Sequence, residues 1–286
     1  MNKVENFYLS EDQIRCFDDI GVLHLKNAIN RDILVHLQEQ SLKMISKALD
    51  EFSPIRKSQH YNYSYDCFQS FLNRIIHFHQ LGGINTLSVL GSPEILHPVT
   101  SLLGLDFFPA VEMMIVKQKH NNTVIPWHQD MTKISKKHRI VTVGIYLDDA
   151  FPEDGSVKFI PYTQNKVQNI CEISQHPLKE LLELNVSAGD IVLHDPAVVH
   201  SSDPIRHQKI RRTLYYEFRS QHQVDDEESW PEEIISRRKS LMYKAMSLYI
   251  ERFPEQYGLL SDLMSQYSHV PLINDMNLIY KEKLPF

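Results

Sequence analysis

Residues 124–133 read VIPWHQDMTK, and within them His128 and Asp130 stand two positions apart. An imidazole nitrogen and a carboxylate oxygen are both ligands for a divalent metal. Residues two apart on a strand point to the same side, so the pair can aim at one point while Gln129 faces away. A compact site needs a third ligand from another segment. The stretch GDIVLHDPAVVHSSDPIRHQKIRRT offers His194, His200 and His207. Two histidines and one carboxylate on one side of a metal leave three positions open, the arrangement used for oxygen chemistry at non-haem Fe(II). A structural zinc is instead closed by four ligands, usually with cysteine among them, and Cys16, Cys67 and Cys171 all lie far from these histidines in sequence.

An Fe(II) site of that kind commonly uses a reductant that is itself a dianion, and a buried dianion needs a fixed cation. Arginine suits the task because its planar fork makes two parallel bonds to a carboxylate. Arg211 follows His200 by eleven residues, enough for a turn and the return along an adjacent strand. Ser202, two after His200, shares its strand face and can offer a hydroxyl to the same carboxylate. Arg212 has the opposite parity and is assigned to structure.

The elements that must position these groups fall into three stretches. LSEDQI opens with Ser10 and has Gln13 three residues later, a capping box that starts a helix ending near Gly21. GVLHLKN reads as a short strand, and NRDILVHLQEQSLKMISKAL as a helix capped by Asn30. A further helix is expected near Phe71–Phe78, and SPEILHPVTSLLG gives another, with Pro93 near its first turn and Gly104 closing it. From residue 105 the texture changes. FFPAVEMMIVKQ, IVTVGIYLDD, SVKFIP, GDIVLHD, AVVHSS and RRTLYYEFRS are short and rich in β-branched and aromatic residues, which favours a sandwich or barrel over a βαβ sheet. Past Ser220 the pattern returns to helix, with the acidic run DDEESWPEE read as a solvated helix start. The expectation is one domain over residues 1–286: a helical part with an early strand over 1–104, a β-core over 105–220, and a helical tail over 221–286 that serves as lid, dimer contact or core cover.

PWHQD, YLDDAFPEDGSVKFIP and GDIVLHDPAVVHSSDPIRHQKIRR together resemble the phytanoyl-CoA dioxygenase (PhyH-like) family, and the likeness extends to LSEDQIRCFDDIGVLHLKNAI and MMIVKQ, hence most of residues 8–219. The resemblance implies a mainly β fold with helical cover: a double-stranded β-helix (jelly-roll, cupin-like) core flanked by N- and C-terminal helices. It implies Fe(II), with 2-oxoglutarate and O2 as cosubstrates. His128, Asp130 and His200 match the family's iron ligands. Arg211 matches the arginine that pairs with the far carboxylate of 2-oxoglutarate, and Ser202 the hydroxyl that assists it. Lys117 falls where related enzymes place a lysine near the cosubstrate, its alternative being a strand-end lysine reaching solvent. Met113 falls where the family lines the cosubstrate pocket, its alternative being a core methionine. His194 is read as a satisfied histidine outside the ligand set, and His207 as exposed in the polar turn DPIRHQK. Related halogenases replace the carboxylate with a small residue, so retention of Asp130 implies hydroxylation or desaturation. Two departures border the expected cavity: Gln164 stands where the family has a histidine after Pro161, and Gly144 where a tryptophan often starts the strand before LDD.

Composition bounds the partners. The 286 residues carry a formal charge of −6, which gives no basic footprint for nucleic acid. No apolar run approaches the roughly 20 residues of a membrane span. The widely spaced, odd-numbered cysteines read as reduced thiols, and a cytoplasmic protein, monomer or homodimer, is expected. The substrate expected is a small metabolite or natural-product intermediate, with succinate and CO2 released. Rival readings are a cupin-like metal-binding scaffold without turnover, a zinc or manganese hydrolase or isomerase on the same triad, and an acyl-CoA 2-hydroxylase. Tyr61, Tyr63, Tyr65 and Phe68 are candidate cavity walls.

Overall fold

The capping box forms as its residues dictate: Ser10 Oγ accepts from the Gln13 amide at 3.2 Å and Gln13 Oε1 from the Ser10 amide at 2.9 Å. It starts α1 (Glu11–Ile20), and Gly21, in the left-handed region at φ 81°, ends it. The computed structural model describes residues 6–52, 60–65, 70–82, 84–131, 139–175, 180–222, 224 and 230–280. β1 (Val22–Leu25) and α2 (Arg31–Asp50), the latter capped by Asn30, follow as expected. Next come β2 (Tyr61–Tyr65), β3 (Ser70–Ile76) and the helices α3 (Phe78–Gly82), α4 (Ile84–Leu90) and α5 (Pro93–Leu103).

Eight strands lie between Phe107 and Ser220: β4 (Phe107–Gln118), β5 (Ile125–His128), β6 (Ile140–Tyr146), β7 (Val157–Ile160), β8 (Leu182–Glu183), β9 (Ile191–His194), β10 (Val199–Ser202) and β11 (Ile210–Ser220). They divide between two antiparallel sheets. The larger runs β1-β9-β6-β11-β4-β3-β2 and the smaller β5-β10-β7-β8. Chain order steps from one sheet to the other along β4 to β7 and again along β8 to β11, which is the jelly-roll path of a double-stranded β-helix.

One expectation is overturned. The segment near Phe71–Phe78 is not helical; β3 occupies most of it and pairs with both β2 and β4. Pairing and not period explains why: a bulge at Asn73 lets Leu72 and Ile75 both turn to the core, opposite Tyr63 and Tyr61, while Arg74 and Ile76 on the other face are half-buried. The first 104 residues therefore lend three strands to the larger sheet, not one.

Strand parity divides that sheet into two chemically different faces. Leu214, Tyr216 and Phe218 of β11, Met114 and Val116 of β4, and Val141, Val143 and Ile145 of β6 pack under the helices in the main core. Tyr61 and Tyr63 also join this side, with the Tyr63 hydroxyl bonded to the Ala48 carbonyl of α2 at 2.5 Å, so they are core and not cavity walls. Side chains of Tyr65 and Phe68 lie outside the described residues. The opposite face looks toward the smaller sheet.

After β11 comes α6 (Glu232–Arg252), which buries Leu241, Met242, Ala245, Met246 and Tyr249 in the main core. A Cβ added at Gly91 would lie 2.2 Å from the Ala245 carbonyl carbon, so this helix passes backbone to backbone over the end of α4. Much of the tail is thus core cover. The run at 225–229 lies outside the described residues, and Glu232 and Glu233 supply carboxylates to the first turn of α6. Among the described residues no helix is long and apolar enough to cross a membrane.

Candidate metal centre

His128 ends β5 and His200 lies in β10, and the antiparallel register sets them directly opposite one another. Opposed residues share a face, so the two imidazoles stand side by side with ring centroids 4.1 Å apart. Asp130 lies two residues beyond the end of the strand, so parity is not what aims it. Its amide donates to the Pro196 carbonyl at 2.9 Å, and the Met131 amide reaches the same oxygen at 3.2 Å. Gln129 turns away and locks the bend: its Nε2 donates to the Ala197 carbonyl at 2.5 Å and the Lys166 carbonyl at 3.0 Å, while its Oε1 accepts from the Gln168 amide at 2.8 Å. The result brings one ligand atom each from His128, Asp130 and His200 within 4.8 Å of one another.

The imidazoles are prepared for coordination. His128 Nδ1 faces the Pro126 carbonyl at 2.7 Å and His200 Nδ1 faces the Val198 carbonyl at 2.9 Å. A carbonyl only accepts, so Nδ1 carries a proton in both rings and Nε2 is the atom left to face a metal. Burial would lower the His128 pKa, but its hydrogen bond to Asp130 and that charge outweigh it and raise it, so an ion would displace the proton of its Nε2. Those Nε2 atoms lie 3.3 and 3.6 Å from the Asp130 carboxylate oxygens. Burial alone would raise the Asp130 pKa; the hydrogen bond from His128 and the neighbouring histidines outweigh it and hold it at about 2. Burial lowers the His200 pKa, so that ring tends to the neutral, ligating form.

His194 stays outside this cluster, as expected, but it is not satisfied. It is 4% exposed, its ring centroid lies 5.2 Å from that of His200, and its Nε2 has no hydrogen-bond partner. Burial, then the charge of His200, pushes its pKa down to about 3, so it stays neutral. His207 is exposed, and its amide joins those of Arg206 and Gln208 on the Asp154 carboxylate, which explains the PEDG turn as a clamp on this loop.

Two buried cations stand beyond the triad. Register pairs Arg211 of β11 with Lys117 of β4, and each is 1% exposed. Arg211 Nη1 donates to the Gly155 carbonyl, its Nε has no partner, and no described carboxylate pairs with it. Gly155 is needed here: its φ is 77°, and a Cβ would stand 2.7 Å from the Asp203 carbonyl oxygen. Lys117 Nζ donates to the carbonyls of Ser202 at 3.1 Å and Asp203 at 2.6 Å. The strand-end lysine reaching solvent is therefore excluded. Burial, followed by the charge of Arg211, brings the Lys117 pKa down to about 6. Ser202, buried on the His200 face of β10, completes the group. Such a pocket has surplus positive charge and an orphaned guanidinium nitrogen, so its chemistry fits an anion with carboxylate geometry.

Arg212, on the other face, makes two bonds to Asp148, at 2.8 Å from Nε and 2.6 Å from Nη2, and reaches Gln38 and Ser41 of α2, a structural role as expected. Met113 is half-buried on the site face opposite Tyr215, and packs against the apolar cluster of Phe108, Val224, Trp230 and Ile234.

Sequence reasoning missed Tyr146 and Tyr215. Both are on the site face, diagonal to each other across β6 and β11, where Thr213 stands opposite Tyr146 and Gly144 opposite Tyr215. The departure at Gly144 was their signal: a Cβ there would lie 2.9 Å from Tyr215 Cε1, so the glycine makes room for the ring. The departure at Gln164 has a different reason. Its Nε2 donates to the Asp18 and Asp19 carbonyls, both at 3.0 Å, tying the turn after β7 to the end of α1.

Known structures share this architecture. EvdMO1 aligns with a TM-score of 0.64 at 22% identity over 73% of this chain, which spans only 50% of the EvdMO1 chain. AviO1 from Streptomyces viridochromogenes Tue57 gives 0.63 at 20% identity, covering 77% of this chain and 97% of its own. EctD from S. alaskensis with bound Fe gives 0.62 at 13% identity over 76% and 79%, and the same protein is known with 2-oxoglutarate and 5-hydroxyectoine. At these identities the likeness establishes the fold alone. No curated protein matches the chain. The family model for phytanoyl-CoA dioxygenase (PhyH) matches residues 17–213, from α1 to the middle of β11. Spanning more than half of the sequence and containing the whole His–Asp–His cluster with Arg211, that match establishes that the chain belongs to the phytanoyl-CoA dioxygenase family.

Proposed function

We propose that this protein is an Fe(II)- and 2-oxoglutarate-dependent dioxygenase that hydroxylates or desaturates an unactivated C–H bond of a small metabolite or natural-product intermediate, releasing succinate and CO2. The observation that carries this reading is the buried pair Arg211 and Lys117, a fixed cation beside a lysine that can become one, with no described carboxylate partner on the same sheet face as the triad. A metal-binding scaffold, a hydrolase or an isomerase has no use for such an anchor. EctD, which shares the fold, binds Fe and 2-oxoglutarate, in keeping with the reading.

His128 Nε2, Asp130 and His200 Nε2 would hold Fe(II), and Arg211, assisted by Ser202 and Lys117, would hold the far carboxylate of 2-oxoglutarate. When bound, iron with 2-oxoglutarate and O2 supplies the oxidising power for the C–H step. The chain's own contribution is orientation. The carbonyls of Pro126 and Val198 fix the imidazole tautomers, and Gln129 holds the Asp130 bend. Tyr146 and Tyr215 line the site face of β6 and β11. Lys117 takes up a proton when an anion arrives beside it, because that charge offsets the burial and the neighbouring Arg211 that suppress its own.

Anaerobic addition of Fe(II) and 2-oxoglutarate will give a weak visible charge-transfer band. Arg211→Ala will lower 2-oxoglutarate affinity about 100-fold, a charge-assisted fork being lost, while metal affinity is kept. Absence of the band, or an unchanged 2-oxoglutarate affinity in Arg211→Ala, defeats the reading.

A further inference from the structure

The larger sheet has a second half on its site face, over β3 and β4. Beneath the helices these strands are sealed, with Ile75 and Met114 at 0% exposure and Val116 at 1%. On the opposite face Arg74, Ile76, Met113 and Ile115 are all half-buried, and register sets Arg74 beside Ile115 and Ile76 beside Met113. An antiparallel sheet face in contact with water ordinarily carries polar side chains. Here three of the four are apolar, and neither Ile76 nor Ile115 belongs to an apolar cluster of the described residues. Ile115 sits between Lys117 and Met113 on β4, opposite Thr213, so the strip continues the floor of the metal centre without a break. Arg74 is its one charge, and it makes no hydrogen bond or ion pair with any described residue.

We propose that this strip is the prime-substrate subsite, and that Arg74 binds an anionic group, a carboxylate or a phosphate, at the end of an apolar substrate body. The inference rests on the dioxygenase reading and adds the class of molecule. An unpaired guanidinium at the end of an apolar strip matches such a ligand in charge and in shape. Arg74 lies two strands across and two residues along from Tyr215, about 12 Å between Cα atoms at ~4.8 Å per strand and ~3.4 Å per residue. An extended body of about eight carbons reaches roughly 9 Å at C–C bonds of about 1.5 Å, and the Arg74 side chain covers the remainder.

The test uses the full chain loaded with Ni(II) and saturating 2-oxoglutarate, which keeps Arg211 occupied. Octanoate, octyl phosphate and octan-1-ol are then titrated calorimetrically. Octanoate or octyl phosphate will bind at least about tenfold more tightly than octan-1-ol, and which of the two is preferred identifies the anion. The preference will weaken as salt rises. Arg74→Ala will abolish it and Arg74→Lys will keep part of it, with octan-1-ol affinity and the melting temperature unchanged. Equal binding of all three probes by the wild type, or undiminished octanoate and octyl phosphate binding by Arg74→Ala, overturns the proposal. Failure of 2-oxoglutarate to load in the first step instead defeats the dioxygenase reading.

Discussion

Two buried arginines lie on opposite sides of the larger sheet, and they are treated differently. Arg238, from α6 and 1% exposed, reaches through the helix side to Glu112 of β4, itself 0% exposed, and its Nε donates to the Pro109 carbonyl at 2.7 Å. Burial would raise the Glu112 carboxyl, but Arg238 outweighs it and holds the group ionised, while burial keeps His77 and His79 beside it neutral, with pKa values of about 4. Arg211, equally buried on the site side, has a lysine for its cross-strand neighbour and no acidic partner among the described residues. A paired buried charge fastens the tail helix to the sheet. An unpaired one is left open to an anion, and the difference distinguishes the two faces of the sheet.

The comparison breaks most visibly at Glu112. Glu112→Ala leaves Arg238 buried without its partner and will destabilise the protein by about 3–5 kcal/mol in chemical denaturation. Cosubstrate affinity of the folded fraction will stay at the wild-type level. On the site side, Gln129→Ala frees the Asp130 bend and will weaken Co(II) binding by about 10- to 100-fold, read from the ion's visible spectrum, with little change in denaturation midpoint.

Lys117 sharpens the contrast through pH. Its folded pKa of about 6 lies below the ordinary lysine value of 10.5, so between these limits the unfolded chain binds the extra proton. Its contribution to stability therefore rises with pH across that window, by at most about 1.4 kcal/mol per pH unit, and its penalty is fully present below pH 6. Lys117→Met will flatten the slope of stability between pH 6 and 9 in the ligand-free protein, and an unchanged slope would contradict this assignment. The smallest effect is at the floor. Gly144→Ala pushes on the edge of the Tyr215 ring and will cost about 1 kcal/mol, with a small loss of 2-oxoglutarate affinity by calorimetry.

The ligand set was legible because its chemistry is concentrated in few residues. His128, Asp130 and His200 announce themselves by type, and the jelly-roll strands from Phe107 to Ser220 by short β-rich segments between turn residues. What escaped depended on partners far away in the sequence. Asp130 is aimed by the Pro196 carbonyl and not by strand parity. β3 was hidden because its aromatic, histidine-rich surroundings carry neither period clearly, and only pairing with β4 decides it. The burial of Lys117 follows from the carbonyls of residues 202 and 203, across the molecule. Tyr146 and Tyr215 read as ordinary strand aromatics until the space above Gly144 is known.

β5 is only four residues long and forms the free margin of the smaller sheet, yet it carries His128. An ion bound there would act as a rivet, joining a short border strand to β10 at the point where backbone pairing runs out. Emptying the centre would then loosen that border first, and hydrogen exchange at β5 would rise with metal loss while the larger sheet stays protected.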